Sequence, residues 1–88
     1  MLMTPVTRLR KDAPGSLTAA DVAAFMTKHG YPITANAIGN FERAEVLKPP
    51  ARFVQLYAAC TGRATDEVVG AHAATLRMRK RKTGPFRR

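Results

Sequence analysis

The stretch that decides the fold is Leu17-Thr-Ala-Ala-Asp-Val-Ala-Ala-Phe-Met-Thr-Lys-His-Gly30, then Tyr31-Pro32, then Thr34-Ala-Asn-Ala-Ile-Gly-Asn-Phe-Glu-Arg43. Thr18 is a favoured N-cap, and Asp21 three residues later completes the pattern of a capping box. Gly30 suits the left-handed residue that follows a helix, and Thr34 suits the cap of the next helix. The sequence therefore predicts two helices joined by a short turn, the second running to about Arg43.

The rest of the chain adds three further helical segments, separated by glycine and proline. The predicted helices begin at Thr4-Pro5, Thr18, Thr34, Pro50 and Thr65. Gly62 is predicted to end the fourth helix, and the fifth has no breaker before Thr83, so it can extend to Lys82. No segment alternates in the manner of a β-strand. We therefore expect an all-α domain of five short helices.

Length and composition exclude several classes of protein. Eighty-eight residues make one domain, and the single cysteine, Cys60, allows no intramolecular disulfide or cysteine-rich metal cluster. His29 and His72 lack companions at ligand spacing, so no metal is expected. No apolar run reaches the length of a membrane span, and Met1–Thr7 lacks the pattern of a secretion signal. The single cysteine suits a reducing cytosol, so we expect a cytoplasmic protein. Without a Ser/His/Asp constellation or a phosphate-binding glycine loop, we expect no enzyme and no cofactor, and the chain leaves no room for a separate domain that would bind a small molecule.

The positive charge is concentrated at one end of the chain. The formal net charge is +9, and seven of the 15 Lys and Arg residues lie within residues 77–88, which contain none of the six acids. These seven are Arg77, Arg79, Lys80, Arg81, Lys82, Arg87 and Arg88. Such a segment attracts polyanions, nucleic acid before acidic membrane, although it is also typical of a solubilising, disordered end. We therefore divide the chain into a domain of residues 1–70 and a basic extension of residues 71–88.

Three segments in register resemble the phage-repressor/Cro-type (XRE-like) helix-turn-helix family. Leu17–Ala23 resembles the opening of that family's second helix, and Ile38–Arg43 resembles its Ile-Ser-x-Ile/Tyr-Glu-Arg-Gly ending. Pro50–Gly62, followed by Thr65–Val68, resembles its fourth and fifth helices. The resemblance implies a five-helix Cro/C1-repressor-like domain whose third helix enters the major groove of double-stranded DNA.

The sequence departs from this family pattern in several places. Extra residues between Met26 and Ile33 lengthen the second helix and its turn. Ala19 stands where many relatives carry a glutamine that touches phosphate, and Ala44 replaces the glycine usual after Glu-Arg. Gly39 lies inside the predicted third helix, where glycine costs about 1 kcal/mol relative to alanine. It either loosens the helix or lets it approach DNA closely.

The outward face of the third helix supplies the candidate base contacts. Ile38 and Phe41 are predicted to face the core. The outward set is Ala35, Asn36, Gly39 and Asn40. Asparagine can pair with adenine N6 and N7, and an alanine methyl suits the thymine methyl. The alternatives are a solvent-facing role for Asn36 and a phosphate contact for Asn40.

A hydroxyl and three cations near this helix are the candidate phosphate contacts. They are Thr34, Arg43, Lys48 and Arg52. Thr34 would act with the backbone amides at the start of the helix. The alternative for the three cations is a solvated surface without a ligand. The family resemblance further implies that Glu42 makes a structural ion pair with Arg10 of the first helix.

Relatives in this family gain affinity by dimerising on two half-sites about one helical turn apart. The resemblance implies dimer contacts after the fourth helix, where the chain has a thin apolar stripe. This stripe comprises Val68, Val69, His72 and Leu76. The alternative is packing of the stripe onto the core of its own chain. We expect a homodimer, at least on DNA.

One principal function and two alternatives follow. The principal function is a sequence-specific transcription regulator, a repressor of phage, plasmid or bacterial type, whose basic segment follows the DNA backbone or lies in the minor groove. The first alternative is an architectural or recombination accessory protein with low sequence preference. The second is an antitoxin-like interaction module whose tail wraps a partner protein.

Overall fold

In a computed structural model the chain forms five helices over residues 4–83, the part of the chain that the structure describes, with side chains described as far as Arg79. The helices are α1 (Pro5–Lys11), α2 (Ala19–Lys28), α3 (Ala35–Glu42), α4 (Ala51–Thr61) and α5 (Thr65–Thr83). No strand occurs within residues 4–83. The predicted all-α class is therefore confirmed.

Short polar side chains fix where α1, α2 and α3 begin. The hydroxyls of Thr4, Thr18 and Thr34 each accept a hydrogen bond from a backbone N–H in the first turn of the helix that follows. The Asp21 carboxylate also accepts from the Thr18 amide, which completes the predicted capping box. α4 begins one residue later than predicted, since Pro50 is its N-cap rather than its first helical residue.

The core lies where the five helices meet, with Val6 as the buried residue of α1, and aromatic rings occupy its centre. Phe41 of α3 packs edge-to-face against Phe53 and Tyr57 of α4, with ring centroids 4.7 and 5.3 Å apart. The His72 ring of α5 stacks on Phe41 at 5.1 Å, with the two planes nearly parallel. Burial of one such large apolar side chain contributes about 1.5–3 kcal/mol. Phe41 therefore anchors α3 to both later helices.

The folded body does not end at residue 70, where the sequence placed a domain boundary. α5 runs without a break through Gly70, and His72 and Thr75 beyond it are buried. His72 Nε2 lies 2.8 Å from the Val46 carbonyl oxygen, so α5 also holds the connection between α3 and α4. The extension predicted to be helical or disordered is helical to Thr83, and its first residues belong to the core.

Candidate nucleic-acid interface

α3 is held by its inward face and leaves its opposite face to solvent. Ile38 and Phe41 are fully buried, as the helical spacing predicted. The Thr34 hydroxyl accepts from the Ala37 amide at 3.2 Å, which fixes the start of the helix. The predicted base-contact residues Ala35, Asn36, Gly39 and Asn40 all lie on this helix, with Asn36 exposed and the other three half-buried. The Asn36 side chain makes no hydrogen bond with any other described residue, which leaves its amide available to a ligand.

The end of α3 is fixed by a buried polar network around Glu42. Arg10 donates to both carboxylate oxygens, from Nε to Oε2 at 2.7 Å and from Nη2 to Oε1 at 2.8 Å. The Tyr57 hydroxyl donates to Oε2 at 2.6 Å, and the Thr7 hydroxyl donates to Oε1 at 3.1 Å. The Thr4 hydroxyl donates to the Glu42 carbonyl at 2.8 Å. This network joins α1 and α4 to α3, and it contains the Arg10–Glu42 pair that the resemblance implied.

The network shifts the pKa of two of its members. The hydrogen bond to the Glu42 carboxylate raises the pKa of Arg10 above its ordinary value. Burial, and then the negative charge of Glu42, raise the pKa of Tyr57 well above its ordinary value of 10.0. The tyrosine therefore stays a protonated donor, and the carboxylate keeps its three side-chain partners.

The Arg43 side chain is bonded to residues on both sides of the α3 C-terminus and remains 55% exposed. Its Nη2 donates to Asn40 Oδ1 at 2.7 Å, and its Nε donates to Glu45 Oε2 at 3.2 Å. A methyl group on Gly39 would lie 3.1 Å from Nη1 of Arg43. Gly39 therefore makes room for the guanidinium, which neither explanation offered for this glycine from the sequence had included.

The turn after α3 is a Schellman motif closed by a residue in the left-handed region. The Glu45 amide donates to the Asn40 carbonyl and the Ala44 amide donates to the Phe41 carbonyl, both at 2.9 Å. Ala44 has φ +60° and is buried. The left-handed conformation costs an alanine about 1–2 kcal/mol. Ala44 thus adopts a conformation that glycine adopts at little cost.

The remaining predicted phosphate contacts lie at different places around α3. Lys48 is exposed in the connection between α3 and α4. Arg52, in the first turn of α4, donates to the His29 carbonyl at 3.4 Å and so also helps to hold the end of α2. Thr34 is exposed, but its hydroxyl oxygen already serves as the cap of α3.

The first part of the basic segment contacts the protein itself. Arg77 is exposed on α5, whereas Arg79 donates from Nη1 to the carbonyls of Arg43 and Ala44, each at 3.2 Å. A cation at these carbonyls stabilises the negative end of the α3 dipole. The last turn of α5 includes Lys80, Arg81 and Lys82. Two further predicted residues, Arg87 and Arg88, lie outside the described residues.

Two residues of the predicted dimer stripe lie in the core instead. Val68 is 0% exposed and His72 is 7% exposed, because α5 turns this face toward its own chain. This corrects their prediction as dimer contacts. Val69 is 52% exposed and Leu76 is half-buried, so both remain accessible. Leu47, which the sequence analysis did not select, is 69% exposed.

Leu47 and Val69 border an apolar cleft between the α3–α4 connection, α4 and α5. The cleft has a volume of about 370 Å³, and Pro49, Ala51 and Val54 are among its lining residues. Exposed apolar residues around a concave surface mark a place where a second molecule can pack.

Comparisons of the chain with protein-family models, curated proteins and solved structures gave no match. Within residues 4–83, none of the helices combines the length and the apolar character that a membrane crossing requires.

Proposed function

We propose that the protein is a sequence-specific, double-stranded-DNA-binding transcription regulator of the Cro/C1-repressor-like helix-turn-helix class, acting as a repressor. One observation carries this proposal. α3 is locked by Ile38, Phe41 and the Glu42 network, while its opposite face carries the exposed Asn36 among half-buried small and amide side chains. A rigid helix with small side chains on its outward face suits entry into the major groove, which admits one α-helix.

Asn36 is the residue that the proposal assigns most directly to base reading. It lies near the start of α3, is exposed, and has both its donor and its acceptor groups available. An asparagine in this state can make the bidentate pair with adenine N6 and N7, which contributes about 1–3 kcal/mol of discrimination. The amides at the start of α3, next to the Thr34 cap, would meet a phosphate and set the register.

Affinity in this proposal comes mainly from charge and from a second subunit. Cations that neutralise phosphates release counterions and increase affinity for any DNA sequence. Lys48 and the basic segment after Arg79 would supply these contacts. Two copies on adjacent half-sites would bring a second α3 to the same duplex. We further propose that the protein acts in the bacterial cytoplasm, where such DNA lies.

Selection from a pool of randomised DNA duplexes, followed by binding titrations, tests the function. We expect enrichment of one site by the full-length protein and binding of that site at least about 1,000-fold tighter than random duplex at the same salt concentration. The variant Asn36→Ala should lose preference at one position of the half-site and keep the rest. Equal affinity for selected and random duplexes would exclude sequence-specific regulation.

The concentration of cations in residues 77–88 favours a second candidate, an architectural DNA-binding protein with low sequence preference. It predicts steep salt dependence and DNA bending in the absence of an enriched site. The selection experiment separates the two candidates, since only the regulator yields a defined sequence.

A further inference from the structure

We infer that Asn40 and Arg43 act together as a reader of guanine, with Gly39 and Glu45 as the residues that position them. This inference rests on the proposed function and adds the base that one part of α3 recognises. It also changes the expected role of Arg43, which the sequence assigned to phosphate, and the expected preference of Asn40, which the sequence assigned to adenine.

The Arg43 guanidinium lies on the same face of α3 as the two asparagines. Asn36, Asn40 and Arg43 are spaced by four and three residues, so they follow one stripe along α3 and its C-cap. Arg43 therefore continues the face that carries Asn36. Its Nη1 lies 3.1 Å from the position that a Cβ on residue 39 would occupy, so a side chain there would require the guanidinium to shift by a few tenths of an ångström.

Asn40 and Arg43 together offer hydrogen-bond donors to a base. A guanidinium has donors only, so the Asn40 atom that bonds Arg43 Nη2 is necessarily the acceptor Oδ1. Nδ2 of Asn40 makes no hydrogen bond with a described residue, so Asn40 can offer this donor to a base while Oδ1 holds Arg43. Nη1 of Arg43 makes no hydrogen bond with a described side chain or backbone group, and it is also a donor.

Guanine is the base that can accept from both donors, Nδ2 of Asn40 and Nη1 of Arg43. Guanine presents two acceptors in the major groove, N7 and O6, whereas adenine presents one acceptor and one donor. Adenine would accept at N7 from only one of the two donors, and its own N6 donor would face the other. Guanine therefore fits the Asn40–Arg43 pair as it stands.

Glu45 is a positioning residue in this arrangement. Its carboxylate accepts from Nε of Arg43 at 3.2 Å while Asn40 accepts from Nη2, and the two bonds together limit rotation of the side chain. An acidic residue beside a polyanion lowers affinity for every sequence through repulsion. Its expected benefit is selectivity, since a restrained guanidinium loses less rotational freedom when it binds a base.

In vitro site selection with the full-length protein and four variants tests the inference. The variants are Asn40→Ala, Arg43→Lys, Glu45→Gln and Asn36→Ala. Arg43→Lys is the decisive one, because lysine keeps the positive charge for a phosphate and lacks the planar fork for a base. Circular dichroism and thermal melting establish that each variant is folded.

We expect the wild-type site to contain a guanine whose preference falls about 10-fold or more in both Asn40→Ala and Arg43→Lys. Glu45→Gln should weaken the same preference while affinity for random DNA rises. Asn36→Ala should affect another position and leave this guanine unchanged.

Three results would overturn the inference while leaving the proposed function intact. The first is an adenine at the position that Asn40→Ala relaxes, with Arg43→Lys behaving as wild type. The second is a site in which neither variant changes any base preference, which would assign Arg43 to phosphate. The third is a guanine preference that disappears in Arg43→Lys alone, which would mean that Asn40 takes no part. Failure of the wild type to enrich any sequence would instead reject the function itself.

Discussion

Glu42 is an acidic residue at the end of a helix that we propose faces a polyanion. Its carboxylate is buried and bonded to Arg10, Tyr57 and Thr7, so its charge is neutralised inside the protein. A buried ion pair is costly to form and more costly to break, because removal of one partner leaves an uncompensated charge. In the proposed function, Glu42 would therefore act on DNA binding only through the position of α3.

The first prediction concerns this network. Glu42→Gln leaves Arg10 without its carboxylate and should lower the free energy of unfolding by about 3 kcal/mol. Urea denaturation followed by circular dichroism measures the change. The matched control is Glu67→Gln, at the exposed pair with Arg63, where the loss should stay below about 1 kcal/mol. Equal losses in the two variants would show that the network does not stabilise the fold.

The second prediction concerns pH. The folded protein holds the Tyr57 proton more tightly than the unfolded chain does, since its pKa is raised above 10.0 in the fold. The contribution to stability is therefore complete below about pH 10 and decreases as the pH rises further. Urea denaturation between about pH 8 and 11 should show this decrease in the wild type and a smaller one in Tyr57→Phe.

Tyr31→Phe is the control for that series, since it retains Tyr57 and should retain the decrease. If Tyr57→Phe and wild type lose stability in parallel as the pH rises through the alkaline range, the Tyr57 proton is not the source.

At the scale of the helices, the caps formed by residues close in sequence could be predicted, whereas contacts between distant segments could not. The Thr18–Asp21 capping box spans one turn, so its two residues suffice to predict it. The burial of His72 depends on its stacking against Phe41, which lies far earlier in the chain. The bonds from Arg79 to the end of α3 likewise join distant segments. The Arg43–Asn40 bond is local, but it depends on a side-chain rotamer that helical spacing does not specify.

The third prediction concerns α5. Gly70 lies inside this helix, and a methyl group there would meet nothing within 4 Å. Gly70→Ala should therefore raise the free energy of unfolding by about 1 kcal/mol, measured by urea denaturation, with no change in DNA preference. Gly62→Ala is the contrasting variant, since φ is +73° at that position and alanine should cost about 1–2 kcal/mol there. Stabilisation by both variants would contradict the assigned backbone conformations.

For the whole molecule, the proposal separates the contacts that select a sequence from those that supply affinity. Asn36, Asn40 and Arg43 lie on one stripe of α3, whereas most of the excess positive charge lies after Leu76. The two groups should respond differently to salt, because phosphate contacts release counterions and base contacts do not.

The fourth prediction uses that difference. Replacement of Lys80, Arg81 and Lys82 with glutamine should weaken binding to selected and random duplexes alike. It should also reduce the slope of log affinity against log salt by about 1 for each phosphate that is no longer neutralised. Asn36→Ala should change the preferred sequence and leave the slope unchanged. Titrations at several salt concentrations measure both effects. A triple variant with an altered preferred sequence would place these cations at the bases instead.

The fifth prediction concerns the second subunit. Val69→Glu adds a charge at the exposed rim of the apolar cleft and should weaken binding to a duplex with two half-sites while leaving a single half-site unaffected. Binding titrations and sedimentation of the complexes give the affinity and the number of copies bound. Ala20→Glu, at an exposed position of α2, is the control for an added charge elsewhere. Unchanged binding of two copies by Val69→Glu would move the dimer contact to another surface.

The bonds from Arg79 to the carbonyls of Arg43 and Ala44 have a consequence for how binding would proceed. They attach the start of the basic segment to the end of α3. The helix and the basic segment would therefore bind the same duplex as two linked parts of one protein. Once α3 is in place, the local concentration of the cations near the phosphates is set by their attachment to the same folded body and not by the amount of protein in the cell. Release of either part alone would then be followed by rapid rebinding, and residence on DNA would exceed what each part achieves separately.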